Sequence, residues 1–434
     1  MERKNILSEK LNIIRKKLTQ TGFFHIFGSS TINKIIGFAS SWILIRIISK
    51  PEYGVYSYAN NIYSFCLLLS GWGITSAVLQ LCSESNDEDR RNTLYRYGMR
   101  FGLKVNLALA ILVACIGCLI PLPIEGSNVL LTMMCALPIA TLIPELQFLY
   151  LRFNMRNKEY AKANTFNSII VFVFSCIFAL LWKAPGLVMA GYAAHLTTSV
   201  YTAKKYGAPV DCRKVQLNQD DKKALFSIAT ISMINNGLSR LMYLLDVFVL
   251  GIVVPDSTAI AAYSVATKIP TAMGFIPSAV TIYIYPYFAR HKDDRQWLLE
   301  NYAKLIVPFG LFNLCASAAL VLFAKPMISI LFGAQYLDAV VPFRILSISY
   351  FFSATFRVVS GNLLVTQRKL KFNLVMAVLS SATNTVLNIF FIRAWGSTGA
   401  ALATLITVVV FSAISTVYLI HVFKSKKQCE GDTL

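Results

Sequence analysis

Apolar runs of about twenty residues recur along the whole chain, separated by short polar stretches rich in Lys and Arg. A run of that length crosses about 30 Å of hydrocarbon as a helix. Inside lipid a helix is the form that pairs all its own backbone groups. The pattern predicts twelve spans: Gly22–Ile48, Tyr53–Gln80, Phe101–Ile120, Val129–Leu151, Ala163–Trp182, Leu187–Ala203, Ala224–Gly251, Ile260–Phe288, Leu305–Phe323, Val340–Val365, Phe372–Ile392 and Gly396–Phe423. Between the first two, Pro51-Glu52-Tyr53-Gly54 reads as a tight reversing turn, and Gly71 and Gly73 read as the close of the second span. Pro270 and Pro277 should bend the eighth span near Lys268.

The halves repeat. Tyr56-Ser57-x-Ala59 returns as Tyr263-Ser264-x-Ala266, and Gly191-x-Ala193 as Gly399-x-Ala401. The expected fold is therefore all-α and integral to the membrane. Two six-helix lobes would be related by a pseudo-twofold axis along the membrane normal, with a substrate site between them. The predicted divisions are a basic segment at 1–21, a lobe at 22–203, a linker at 204–223, a second lobe at 224–423 and a tail at 424–434. In the first segment Leu7, Leu11, Ile14 and Leu18 share a helical face, which fits an interfacial amphipathic helix or a frayed charged tail.

Composition agrees. The 434 residues are 56% hydrophobic and 14% charged, with mean hydropathy +0.58, against about 25% charged in soluble domains. The net charge of +20 is topology rather than nucleic-acid affinity. On this layout the loops of one side carry thirty Lys and Arg, and the other side only Lys50, Lys183, Lys325 and Arg393. Basic loops stay cytoplasmic, so both termini of this multi-pass membrane protein are expected inside. Cys115-x-x-Cys118 has no second pair to make a metal site and reads as two small apolar residues.

A charge at bilayer depth costs at least about 2.5–3.5 kcal/mol on insertion scales. Arg46, Lys104 and Arg344 lie near helix ends, where long stems snorkel. Lys34, Arg240, Lys268 and Arg357 lie deeper and form the candidate cationic site for an anionic cargo. Ser30, Lys34, Gly37 and Ser41 make a polar stripe on the first span, and Ser232, Asn236, Arg240 and Tyr243 one on the seventh. Asn384 and Asn388 mark a third; these polar groups would line an aqueous cavity or glue helices together. Asp246 and Glu145 are the acids within spans: each could carry a coupling proton or sodium ion, or pair with a neighbouring base. No Gly-Lys-Ser/Thr phosphate loop, histidine cluster or large outer loop is present, so neither a built-in ATPase nor an enzyme with other recognisable catalytic machinery is expected.

Several segments together carry a resemblance: Arg46-x5-Glu52-Tyr53-Gly54-x-Tyr56, Ala262-Tyr263-Ser264-x-Ala266, Leu331-Phe332-Gly333-Ala334-Gln335-Tyr336, Asn384-x3-Asn388 and Gly399-Ala400-Ala401-x-Ala403-Thr404. With them the chain resembles the polysaccharide-export branch of the multidrug/oligosaccharidyl-lipid/polysaccharide exporter superfamily (the MATE/MOP fold), the O-antigen and capsule repeat-unit flippases. The resemblance implies a transporter that moves undecaprenyl-pyrophosphate-linked oligosaccharide to the outer leaflet by alternating access. It implies no cofactor beyond a proton or sodium gradient, and as partners the lipid-linked cargo, membrane lipids and other polysaccharide-assembly membrane proteins. A drug/cation antiporter of the same fold is the nearest rival, though it would want more acids in the first lobe. A membrane glycan polymerase or ligase is the rival of another class.

Overall fold

The computed structural model describes residues 23–425, apart from the side chains of 23–27, 235, 238, 239, 242 and 243. The amphipathic segment expected at 1–21, most of the tail and the side chain of Tyr243 lie outside the described residues. Among those described there is helix and no strand. In order the helices are α1 (Phe23–Ile47), α2 (Lys50–Cys66), α3 (Ile74–Glu84), α4 (Glu88–Leu119), α5 (Ser127–Met133), α6 (Leu137–Phe153), α7 (Asn157–Tyr206) and α8 (Gln219–Val253). There follow α9 (Ser257–Ala266), α10 (Lys268–Met273), α11 (Phe275–Arg290), α12 (Arg295–Leu322), α13 (Ala324–Phe332), α14 (Val340–Phe352), α15 (Val358–Thr366) and α16 (Leu370–Lys424). Seven helical stretches are long and apolar enough to cross a membrane, and an eighth if the bent pair α5–α6 counts as one. The protein is a multi-pass membrane protein.

Three expectations need correction. Pro-Glu-Tyr-Gly is not a turn: Ser49, with extended backbone, precedes α2, and Lys50 through Gly54 form its first turns, with Pro51 where a missing N–H costs nothing. Gly71 and Gly73 do not end the second span. The chain unwinds through Leu67–Gly73, with Gly71, Trp72 and Gly73 at positive φ, and resumes as α3. Asn106 makes that break tolerable in an apolar setting. Fully buried, it accepts from the Gly71 N–H at 2.7 Å and donates to the Pro138 carbonyl at 2.6 Å, pairing groups that a break leaves free. The eighth span does break around Lys268, at Thr267 and again at Gly274, into α9, α10 and α11.

The third correction concerns the repeat. Lys183 interrupts α7 at φ 53°, ψ −128°, and Gly396 interrupts α16 at φ 54°, ψ −130°, 213 residues later. Met155 and Arg368, also 213 apart, both have φ 58° just before α7 and α16. After each bend the chain doubles back so closely that a Cβ on Gly186 would lie 1.9 Å from the Phe178 carbonyl oxygen, and one on Gly399 2.0 Å from that of Phe391. Gly399 therefore matches Gly186, not Gly191. The spacing is 207 for Tyr56 and Tyr263 and for the buried pair Asn106 and Asn313, then 213 from the fifth span onward. The duplication is real, with six residues gained between its third and fifth spans.

The chain gathers into two compact units. One holds the first helix with Tyr63–Leu122 and Gly126–Gly237; the other holds Lys50–Ile62, Pro123–Glu125 and everything from Leu238. Their division thus runs through α2 and α8 rather than through a loop. In the first unit, Ile74, Val78, Leu94, Tyr95 and Leu146 pack with Leu225 and Ala229 of the N-terminal half of α8. In the second, Gly54 sits so close to the start of α9 that a Cβ there would meet the Ser257 carbonyl oxygen at 1.8 Å. Asn61 donates to the Leu244 carbonyl at 3.1 Å. The linker 207–218 is tied to the first unit. Tyr95 Oη donates to the Pro209 carbonyl at 2.8 Å and Gln147 to that of Ala208 at 3.1 Å, while Arg96 pairs with Asp211 at 2.8 Å.

Candidate functional site

The second unit contains a buried polar centre around Asp246, which is 2% exposed. It lies in the C-terminal half of α8, where Val249 and Leu250 are also buried. Three neutral groups donate to its carboxylate: Tyr263 Oη of α9 at 2.7 Å, Asn388 Nδ2 of α16 at 2.8 Å and Thr404 Oγ1 of α16 at 2.8 Å. Asn388 Nδ2 is shared with Asn384 Oδ1 at 3.0 Å. Asn384 and Asn388 stand one turn apart on α16, and Thr404 comes back beside them because the helix folds over at Gly396. The bend thus brings residues from both arms of α16 onto one carboxylate.

Among the described residues no Lys or Arg side chain forms an ion pair or hydrogen bond with Asp246. Of the two alternatives read from the sequence, the basic partner is therefore not the one found. The centre also keeps unused valence: Asn388 Oδ1 and Asn384 Nδ2 are buried with no hydrogen-bond partner. A buried carboxylate flanked by an unpaired amide oxygen and two hydroxyls is an all-oxygen donor set, suited to a small hard cation.

Asp246, Tyr263 and Thr404 form part of the wall of a cavity of about 500 Å³. The rest of the wall is apolar surface and hydroxyls, among them Thr267, Thr271, Ser349 and Ser353. The helix break at Thr267–Gly274 lies on this wall. So does the widened turn Ser353–Arg357 between α14 and α15. Irregular backbone at membrane depth is tolerated where it lines a wet cavity.

The remaining sequence-picked residues fall elsewhere. Lys34, Ser30 and Ser41 are on α1 in the first unit, the first two exposed and Ser41 half-buried. Arg240, Lys268 and Arg357 belong to the second unit, yet none lines the cavity beside Asp246. Arg240 is exposed and Lys268 half-buried, and neither forms an ion pair or hydrogen bond among the described residues; Arg357 donates to Ser380 Oγ at 3.2 Å. Asn236 is exposed, and Glu145 is exposed on α6 in the first unit. Among the described residues no group of three or more His, Cys, Asp or Glu could hold a metal.

Sequence reading picked Asp246, Asn384 and Asn388 separately and missed Tyr263 and Thr404 as partners. Both stood in quoted motifs. The signal was the repeat itself: stepping back by 207 or 213 from Asp246, Asn384, Asn388 and Thr404 lands on Ala39, Val171, Ser175 and Gly191. The first copy has no carboxylate or amide there. Tyr263, by contrast, keeps its counterpart Tyr56.

Known structures share this architecture. An inward-facing multidrug-resistance MATE transporter of the MOP superfamily superposes with a TM-score of 0.74 at 13% identity, over 92% of this chain and 96% of that one. The lipid II flippase MurJ in an inward closed conformation gives 0.69 at 14% identity, over 93% and 88%. The fold is therefore that of the MOP-superfamily membrane transporters. By sequence the chain belongs to the polysaccharide biosynthesis protein family, whose model matches residues 43–341. A membrane protein of the cps region of Klebsiella pneumoniae is 24% identical over 89% of this chain and 79% of its own length. The lipopolysaccharide biosynthesis protein WzxC of Escherichia coli K12 is 24% identical over 71% of this chain, which spans 61% of that protein.

Proposed function

We propose that this protein is a flippase for lipid-linked oligosaccharide. Its cargo would be undecaprenyl-pyrophosphate-linked repeat units of O-antigen or capsule, carried from the cytoplasmic to the outer leaflet. The observation that carries the reading is a polysaccharide-biosynthesis sequence, matched over residues 43–341, on an exporter fold. The lipopolysaccharide biosynthesis protein WzxC and the lipid II flippase MurJ point the same way. The pyrophosphate falls to Lys34, Arg240, Lys268 and Arg357. Arg240 and Lys268 support this by having no ion pair or hydrogen bond among the described residues, since an unpaired cation at bilayer depth is costly unless it serves a ligand.

Transport is coupled, on this reading, to a proton or sodium ion at Asp246. The all-oxygen donor set and the unpaired Asn388 Oδ1 fit either ion. Glu145 is the second coupling candidate. The twelve spans run in two six-helix halves that alternate access, in the bacterial inner membrane with both termini inside, on the strength of thirty basic loop residues against four.

Deleting the gene and analysing the lipid-linked intermediate that accumulates tests the function, and its sugars identify the cargo. No accumulation, or glycan bond formation by the purified protein in vesicles, overturns it. Arg240→Ala and Arg357→Ala should each abolish export with membrane level and melting temperature unchanged. Full export by either variant removes that residue from the site.

A further inference from the structure

One end of the first unit carries a group of cations that the transport reading does not use. Arg152 is in the last turn of α6, Lys162 near the start of α7 and Lys205 in its last turn. All three are exposed, and none is paired with a carboxylate among the described residues. Two of them rest on aromatic faces instead. The Arg152 guanidinium lies 5.4 Å from the Tyr160 ring centroid, and the Lys205 ammonium lies 5.1 Å from that of Tyr201 and 6.0 Å from that of Tyr206. The Tyr201 hydroxyl stands 3.5 Å from the Tyr206 hydroxyl. The nearby acid, Glu159, is taken by Arg156.

Beneath, Phe148, Leu151, Ala163 and Tyr206 form a buried cluster with Tyr160 and Tyr201 packed against it. Phe166 stacks on Tyr201 at 4.0 Å. The rings are packed in place, and Arg152 and Lys205 lie over them. Cation–aromatic contacts position the positive charge without neutralising it.

The duplication supplies an internal control. At the established spacing of 213, Arg152, Tyr160, Lys162, Tyr201 and Lys205 correspond to Val365, Asn373, Val375, Ile414 and Tyr418. The second copy builds the same helix ends with none of these cations. The fold therefore does not need them, and snorkelling stems alone do not explain why one copy has three.

We propose that this surface is a binding site for the phosphate head group of an anionic phospholipid. Its acyl chains would lie along α6 and α7, and its phosphate would bridge Arg152 and Lys205, with Lys162 and the tyrosine hydroxyls at the edge. Aromatic rings at the depth of the head groups and basic residues beside them are the two elements such recognition uses.

The test uses the full-length protein in nanodiscs, with native mass spectrometry counting retained lipid. Wild type should retain phosphatidylglycerol over phosphatidylcholine. The double variant Arg152→Gln/Lys205→Gln should lose roughly thirtyfold in that preference, about 2 kcal/mol for two surface cations. Its melting temperature in pure phosphatidylcholine should match wild type, and Arg152→Lys/Lys205→Arg should retain the preference. An unchanged preference in the glutamine variant overturns the proposal. So does competition by inorganic phosphate as strong as that by phosphatidylglycerol, which would make this a free-anion site. A polyprenyl pyrophosphate held more tightly here than phosphatidylglycerol would make it a cargo site and overturn it too.

Discussion

Replacing Asp246 by Asn separates what the carboxylate does for the fold from what it does for an ion. In wild type one oxygen accepts from Asn388 Nδ2, and the other from the Tyr263 and Thr404 hydroxyls. An asparagine keeps an acceptor for the two hydroxyls and turns an N–H2 group toward Asn388. That clash resolves if Asn388 and Asn384 turn their amides over, presenting Asn388 Oδ1 to the new donor and Asn384 Nδ2 to Asn388 Oδ1. Those are the two atoms with no partner at present, so no bond is lost. Asp246→Asn should therefore cost under about 1 kcal/mol, the net worth of one hydrogen bond. Asp246→Ala strands three donors at about 1–3 kcal/mol each, a total of about 3–9 kcal/mol, which is a large part of an ordinary domain's stability. Melting temperature in detergent measures both. In wild type the coupling ion should raise it, by about 2.7 kcal/mol of stability at a hundredfold excess over the dissociation constant. In Asp246→Asn that rise should vanish, and transport should lose its ion dependence. An Asn variant that melts normally and still responds to sodium or to pH as wild type does refutes the assignment of Asp246 to coupling.

Two further outcomes are expected. Lys183 holds a φ, ψ pair open almost solely to glycine, and its counterpart Gly396 shows what the bend prefers. Lys183→Gly should stabilise by about 1–3 kcal/mol and Gly396→Ala should destabilise by a similar amount, read from thermal melts; the opposite signs would mean the two bends are not equivalent. The linker should loosen in acid. The Arg213 guanidinium holds the Asp211 carboxyl well below its ordinary value, and the Arg90 guanidinium does the same for Asp221. Both pKa values are lowered in the folded state, so their contribution is complete above the unfolded value near pH 4 and is lost as pH falls through the folded values. Limited proteolysis with an acid-active protease should cut within 207–218 only below about pH 4, and cleavage at neutral pH to the same extent would refute the clamp.

Much of the fold was legible because lipid imposes a coarse rule. Long apolar runs must be helices, and basic loops mark alternate ends. The finer errors share a cause. Pro51 looked like a turn because proline is common both in turns and at the first helical position, and nothing in the local sequence decides between the two. Gly71 and Gly73 looked terminal because the residue that repairs the break, Asn106, lies far off in sequence. The repeat was visible, but Gly191 offered a false match to Gly399 since glycine and alanine are common in such helices; backbone angles at Lys183 and Gly396 settled the register. Cations were ranked above Asp246 on insertion cost alone. The structure gives Asp246 the most elaborate surroundings, through Tyr263 and Thr404, whose meeting depends on a bend that periodicity does not report.

The asymmetry between the copies has a thermodynamic consequence. If Asp246 is the coupling group, only one half of the protein can hold a driving ion there, which fixes the stoichiometry at that centre to one monovalent ion per cycle. The membrane voltage then supplies about 2.3 kcal/mol per 100 mV for each such charge, and the rest of the work must come from the concentration gradient or from the cargo's own downhill consumption outside. A chain built from two copies of the second half, by contrast, would carry two carboxylates and could draw on the voltage twice.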